Sequence, residues 1–194
     1  MADTITDTIA DTPTAPVTPP GRPDHPGAAL ASAVAYVAIV LTGAIFGFFF
    51  AWVCSTMWGL DAADPRVAIV AMQEMNASVR NAVFFPAFFL TPVALFGAGW
   101  ALRRTGRLAA WPWFAAAGGV YLVGGLLLTA LVNVPMNEDL ADVVVPTDLD
   151  AAARIWEDYS GRWQRWNLTR TIASGVALLL AAIGLRRSAR APMG

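Results

Sequence analysis

The sequence predicts an all-α fold: an integral membrane bundle of four helices, with both termini cytoplasmic and amphipathic helical extensions on the outer side. Three observations carry this. Hydrophobic residues make up 57% of the 194 residues and charged residues only 14%, with a mean hydropathy of +0.54, outside the range of ordinary soluble domains. Four apolar runs follow one another, three of them long enough to cross a bilayer unaided. Two arginine clusters, Arg103, Arg104 and Arg107, then Arg186, Arg187 and Arg190, close the second and fourth runs. By the positive-inside rule both clusters are cytoplasmic, so loops 58–79 and 136–165 face outwards. The expected location is a bacterial-type cytoplasmic membrane, crossed four times.

Composition also excludes function classes. The net charge of −1 leaves no electrostatic case for nucleic acid as a partner. A single cysteine, Cys54, excludes an internal disulfide framework. The one histidine, His25, lies in the N-terminal tail, so the membrane region lacks the usual ligand for zinc, haem or non-haem iron.

Residues 1–27 are rich in Thr, Asp, Ala and Pro and are expected to be a disordered cytoplasmic tail. They do not read as a signal peptide, because the first apolar run begins only near Leu30. Residues 28–188 are the expected transmembrane domain, with helices at about 28–57, 65–102, 111–134 and 150–187 and a short tail at 189–194. In the first helix, Gly43 and Gly47 form a Gly-x-x-x-Gly pair that would admit a neighbouring helix, and Phe46, Phe48, Phe49, Phe50 and Trp52 widen its outer half. The second starts at Asp64-Pro65, a capping residue followed by a proline at the first helical position. Its amphipathic stretch Arg66–Ser78 leads into the apolar run 82–102. Gln73, Asn76 and Arg80 share one face and Glu74 and Asn81 another; Pro86 and Pro92 are expected to bend it.

The third helix starts at Trp111-Pro112 and is expected to end before Pro135, since a residue preceding proline is pushed out of helical geometry. Gly118, Gly119, Gly124 and Gly125 make it thin. The fourth begins near Thr147 and carries Trp156, Tyr159, Trp163, Trp166 and Arg170 in a single stripe, with Gly161 as a bend point. Its apolar run, Ile172–Leu185, is only 14 residues, roughly 21 Å of helix against a slab of about 30 Å. The span must therefore begin near residue 166, which carries Arg170 below the boundary. An arginine at that depth needs a partner or a wet cavity.

Measured from the cytoplasmic ends, Arg80 and Asn81, Asn133 and Asn137, and Asn167 and Arg170 all fall near one outer boundary. A shared depth predicts a shared polar cavity, with Glu74 and Glu138 as candidate counter-charges and Trp163 and Trp166 beside it. Cys54, Met57, Met72, Met75 and Met136 also gather on the outer side. Soft ligands of this kind could hold copper(I), although methionines more often serve as packing.

Met72-Gln73 with Asn76, Arg80-Asn81 and Phe84, then Asn133-Val134-Pro135-Met136-Asn137, then Trp156, Tyr159 and Trp163 with Trp166-Asn167 and Arg170-Thr171 together resemble the anthrone-oxygenase-like family of small four-helix membrane proteins. The resemblance covers roughly residues 35–187. Asn-x-Pro-x-Asn and Trp-Asn-x-x-Arg-Thr are its sharpest motifs. Relatives often carry a histidine after the tryptophan-asparagine pair, where this chain has Leu168, so no histidine base is carried over. The resemblance implies oxygenation of a polycyclic aromatic ketone or quinone-type substrate by molecular oxygen without an organic cofactor. On it, Arg170 would stabilise the developing oxyanion and Glu138 or Glu74 would act as base. Asn133, Asn137 and Asn167 would hydrogen-bond ring oxygens and Trp163 and Trp166 would stack on the rings, with Asn76, Arg80 and Asn81 completing the binding residues. The competing expectation is a non-enzymatic accessory subunit or lipid-binding partner of a larger membrane complex. Further partners would be the bilayer, a hydrophobic small molecule, and a second copy or another membrane protein.

Overall fold

The computed structural model describes residues 27–190. The tail expected to be disordered lies, except for Gly27, outside the described residues, as do residues 191–194. Every regular element described is helical. There are five: α1 (Ala28–Asp61), α2 (Pro65–Ser78), α3 (Phe84–Arg104), α4 (Trp111–Ala141) and α5 (Leu149–Arg190). Helices α1, α3, α4 and α5 are long and apolar enough to cross a membrane, and the fold is a four-helix membrane bundle. Neighbours pack in a ring, α1 on α3, α3 on α4, α4 on α5 and α5 on α1. Outward-facing Val40, Val93, Trp100, Val123, Leu131 and Leu179 are well exposed, as expected of a surface that meets acyl chains.

Arginine and tryptophan mark one end of the bundle. The guanidinium carbons of Arg103, Arg104 and Arg187 lie 5.1, 5.7 and 4.9 Å from the ring centroids of Trp111, Trp100 and Trp113, the amphipathic pairing of a membrane interface. Arg107 donates to Ser32 Oγ at 2.8 Å, so the start of α1 lies at this end with the last turns of α5. We call it the basic end.

At the opposite end the chain departs from the expected layout in three ways. The helix expected over 65–102 is two helices. Between them Asn81 Oδ1 accepts from the backbone N–H groups of Val83 and Phe84 at 2.8 and 2.9 Å, while its Nδ2 donates to Ser78 O at 2.7 Å. It thus closes α2 and caps α3 with one side chain. Pro86 consequently falls in the first turn of α3, where no hydrogen bond is lost.

The third helix does not stop before Pro135. It continues to Ala141 through two π-turns, Leu122–Leu127 and Thr129–Asn133. In the second, Val134 N–H reaches back five residues to Thr129 O, and this wider turn makes room for the Pro135 ring, which has no N–H to place. A third π-turn, Trp52–Thr56, lies in α1. Gly161 introduces no break either: α5 runs unbroken for 42 residues, about 63 Å, twice what a bilayer needs.

The excess length of α5 supports a second core outside the apolar spans. Trp156, Tyr159 and Trp163 pack with Met57, Ile69, Met72, Met136 and Leu140. Asp61, at the end of α1, accepts from Trp156 Nε1 at 3.0 Å, Ser160 Oγ at 2.6 Å and Gln164 Nε2 at 2.8 Å, clamping α1 to α5. Gln73 Nε2 donates to Leu140 O and Val143 O at 2.8 and 3.0 Å, holding α2 on the end of α4. Asp64 caps α2 as expected, accepting from Arg66 N at 2.9 Å. Its hydrogen bonds to Arg66 hold its carboxyl at about 2, well below the ordinary carboxylate value.

Close helix contact comes from α4 rather than from the Gly43–Gly47 pair. A Cβ on Gly124 would stand 2.5 Å from Ala173 Cβ, whereas one on Gly47 would meet nothing within 4 Å. The thinness of α4 is therefore used against α5, one turn from Arg170.

Candidate functional site

A cavity of about 330 Å³ opens where the spanning bundle meets the second core. Its walls are aromatic: Phe48, Phe49 and Trp52 from α1, Phe84, Phe85, Phe88 and Phe89 from α3, and Trp163 from α5. The π-turns border it, contributing Trp52, Leu126 and Thr129. Such turns widen the local register and re-aim side chains, and are frequent at functional sites.

Arg170 forms the polar floor. It is 5% exposed, and its guanidinium carbon sits 4.6 Å from the Phe49 ring centroid and 5.3 Å from that of Trp163. Nη2 donates to Asn167 Oδ1 at 2.9 Å and Nη1 to Thr129 Oγ1 at 3.3 Å. Both acceptors are themselves fixed, Asn167 by donating Nδ2 to Phe49 O at 3.1 Å and Thr129 by donating to Gly125 O at 2.6 Å. No carboxylate forms a salt bridge with Arg170 among the described residues, and its Nε has no hydrogen-bond partner. A buried guanidinium without a counter-charge is costly, and this one lines a cavity.

A second polar group lies along α4 and α5. Asn137 Oδ1 accepts from Trp163 Nε1 at 3.0 Å and Tyr159 Oη at 2.9 Å, and Asn76 Nδ2 approaches Tyr159 Oη at 3.4 Å. Indole can only donate, so the amide of Asn137 must present its oxygen there. Tyr159 must then donate to that oxygen and accept from Asn76. What Asn137 has left for a ligand is its NH2. At the rim, Arg80 and Glu138 form an ion pair at 3.6 Å, both half-exposed.

Of the sequence-predicted residues, Arg170, Glu138, Asn76, Arg80, Asn137 and Trp163 line this cavity together. Asn167 lies behind Arg170, buried. Asn133 is buried near the lining but not part of it, with neither amide atom partnered. Three others lie elsewhere. Glu74 is exposed outside the cavity, on the face of α2 opposite its packing. Asn81 is the cap between α2 and α3. Trp166 is 41% exposed and turned away. Met57, Met72 and Met136 pack in the second core and Met75 lines the cavity. Cys54 is exposed, its thiol directed at Ala51 O of its own helix. Sequence reasoning had not assigned Thr129, Phe49, Trp52 or Phe88 to the site. Tyr159 was visible in the aromatic stripe, but not its place in the hydrogen-bond chain.

No curated protein and no solved structure matches the chain. The family model described as anthrone oxygenase matches residues 75–180, more than half of the chain: the last turn of α2, all of α3 and α4, and α5 as far as Leu180. The matched segment supplies Asn76, Arg80, Thr129, Asn137, Glu138 and Arg170, every charged, amide or hydroxyl side chain of the cavity wall, together with Trp163. The chain is a member of the anthrone oxygenase family.

Proposed function

We propose that the protein is a membrane-embedded oxygenase that converts a polycyclic aromatic ketone to the corresponding quinone with molecular oxygen, inside this cavity. The observation that carries the reading is Arg170: a buried cation with no counter-charge among the described residues, set beneath aromatic walls of the right chemistry for fused rings. In an anthrone the methylene opposite the carbonyl is acidic, because loss of one of its protons gives a delocalised aromatic enolate. A guanidinium at the carbonyl oxygen stabilises the charge as it develops there. Glu138, at the rim, is the group that lines the cavity and can take the carbon-bound proton. Asn137 offers its NH2 to a second ring oxygen, and Trp163, Phe49 and Phe88, on the inner walls, hold the ring plane.

The redox balance closes with two reactants. The enolate gives one electron to oxygen, forming a carbon radical and superoxide, and these combine into a carbon–oxygen bond. The resulting peroxide loses the remaining hydrogen on that carbon and breaks its oxygen–oxygen bond, releasing water and leaving the second carbonyl. The substrate is thus its own reductant, which is why this route requires no organic cofactor. We also read the basic end as cytoplasmic, on its arginines, which puts the cavity in the outer half of the membrane. A C-terminal tag cleaved by external protease in intact cells would reverse that orientation.

The test of function is oxygen uptake with anthrone by detergent-purified protein, with elemental analysis of the same sample. Anthrone-dependent uptake by the wild type, lost in Arg170→Met with the fold retained, is the expected result. Full activity in Arg170→Met removes Arg170 from the reaction. Stoichiometric copper would redirect attention to Cys54 and the methionines.

A further inference from the structure

The cavity wall is not wholly interior. Phe85 and Phe89 of α3 line it and are also 41% and 48% exposed, and across from them Ala130 of α4 lines it and is exposed too. Towards the basic end α3 and α4 are in close contact: a Cβ on Gly118 would stand 3.0 Å from the Phe96 ring. The last such link is Tyr121, whose hydroxyl donates to Phe88 O at 3.0 Å. Beyond it the contacts between the two helices fall away, until Arg80 and Glu138 meet at the rim at 3.6 Å. The result is a slot in the side of the bundle, bounded below by Tyr121–Phe88 and above by the ion pair. Its sides are Phe85 and Phe89 on one helix and Ala130 and Val134 on the other.

We propose that this slot is a lateral portal through which a neutral, planar aromatic ketone passes from the bilayer into the cavity. The proposal rests on the functional reading above. The two sides of the frame lie within spanning helices and carry no charge or hydrogen-bonding side chain, and the exposed neighbours Leu127 and Leu131 are apolar. An enolate would have to shed its hydration to pass such a frame, whereas the neutral ketone already partitions into hydrocarbon. The ligand therefore enters uncharged, carbonyl edge first, and becomes an anion only beside Arg170. The buried cation then has a further role: the charged form it stabilises cannot leave by the same route.

Stopped-flow tryptophan quenching by anthraquinone, in wild-type protein embedded in lipid nanodiscs, reads access without turnover. Trp52 and Trp163 in the cavity wall provide the signal. Narrowing the slot with Ala130→Phe should lower association and dissociation rates together, on the order of tenfold, with little change in Kd, as a barrier does. Opening it with Phe85→Ala should raise both. A changed Kd at unchanged association rate would make Ala130 a binding wall and overturn the portal, as would unchanged kinetics in both variants. If anthrone uptake persists while these rates do not move, the portal fails and the oxygenase stands. If wild type neither binds anthraquinone nor consumes oxygen, both fall.

Discussion

Arg170→Met should abolish oxygenation without unfolding the protein, and the structure allows the stability change to be bounded. The guanidinium makes two hydrogen bonds, of 2.9 and 3.3 Å. Removing it orphans the buried Asn167 Oδ1, at about 1–3 kcal/mol, while Thr129 keeps its bond to Gly125 and loses little. Contact with the Phe49 and Trp163 faces is lost as a cation–π interaction, about 1–2 kcal/mol for each desolvated face, but a methionine regains part of it as packing. Against these stands relief of an unpaired buried charge, several kcal/mol. The net expectation is a change within about 2 kcal/mol of zero, by the near-cancellation seen when buried charges become apolar groups. Replacing Asn167 as well, in Arg170→Met/Asn167→Leu, should recover about 1–3 kcal/mol by removing the orphaned oxygen. Reversible chemical unfolding in detergent micelles, followed by tryptophan fluorescence, provides the measurement. A loss above about 3 kcal/mol in the single variant would make Arg170 a structural tie, and the argument from an unsatisfied cation to function would collapse.

Two further outcomes are expected. Asn133 is fully buried with both amide atoms unpartnered, so Asn133→Leu, similar in shape, should raise unfolding free energy by about 1–3 kcal/mol in the same assay; a drop of that size would mean the amide is hydrogen-bonded in the membrane-embedded protein. The Asp64 carboxyl titrates near 2 in the folded chain against an ordinary 3.8. Its folded pKa is depressed, so its contribution to stability is complete above about pH 4 and is lost as pH falls through about 2. Asp64→Asn should flatten the acid limb of stability between those values, and an unchanged limb would show that the Arg66 contact contributes nothing.

Three of the four spans were legible because a spanning helix announces itself by run length alone. Arg170 was legible for a related reason: a 14-residue apolar run cannot cross unless it carries its polar flank inwards. Trp156, Tyr159 and Trp163 read correctly as one stripe, which the structure buries. Trp166 did not, because at 3.6 residues per turn it lies about 80° round from Trp156, at the edge of that stripe, whereas Asn167 lies about 20° away and is buried. The π-turns left no sequence signal. Proline suggested that α4 ends before Pro135, and the alternative, a five-residue hydrogen bond that absorbs the ring, depends on neighbours holding the helix on both sides. Asn81 has the ordinary identity of a helix cap, but it was read by depth, as one more polar group at the boundary. The break it caps is what lets α2 fold back over the cavity.

The placement of Glu138, Arg80 and Arg170 decides what the cavity can do. Were Glu138 beside Arg170, the guanidinium would be neutralised and the cavity would hold a buried ion pair, of structural use at most. Instead Glu138 is held at the rim by Arg80, where both are half in water, while Arg170 is held by neutral acceptors and aromatic faces that solvate it without cancelling its charge. On the proposed function, acid and buried cation act on opposite edges of one occupant, the first where protons exchange with solvent, the second where an anion is otherwise too costly to bury. A binding site for an inert lipid or a neighbouring helix has no need of that separation, because neither develops charge. The separation is what a reaction passing through an enolate requires, and it is why the Arg170 variant, rather than any change to the aromatic wall, is the decisive one.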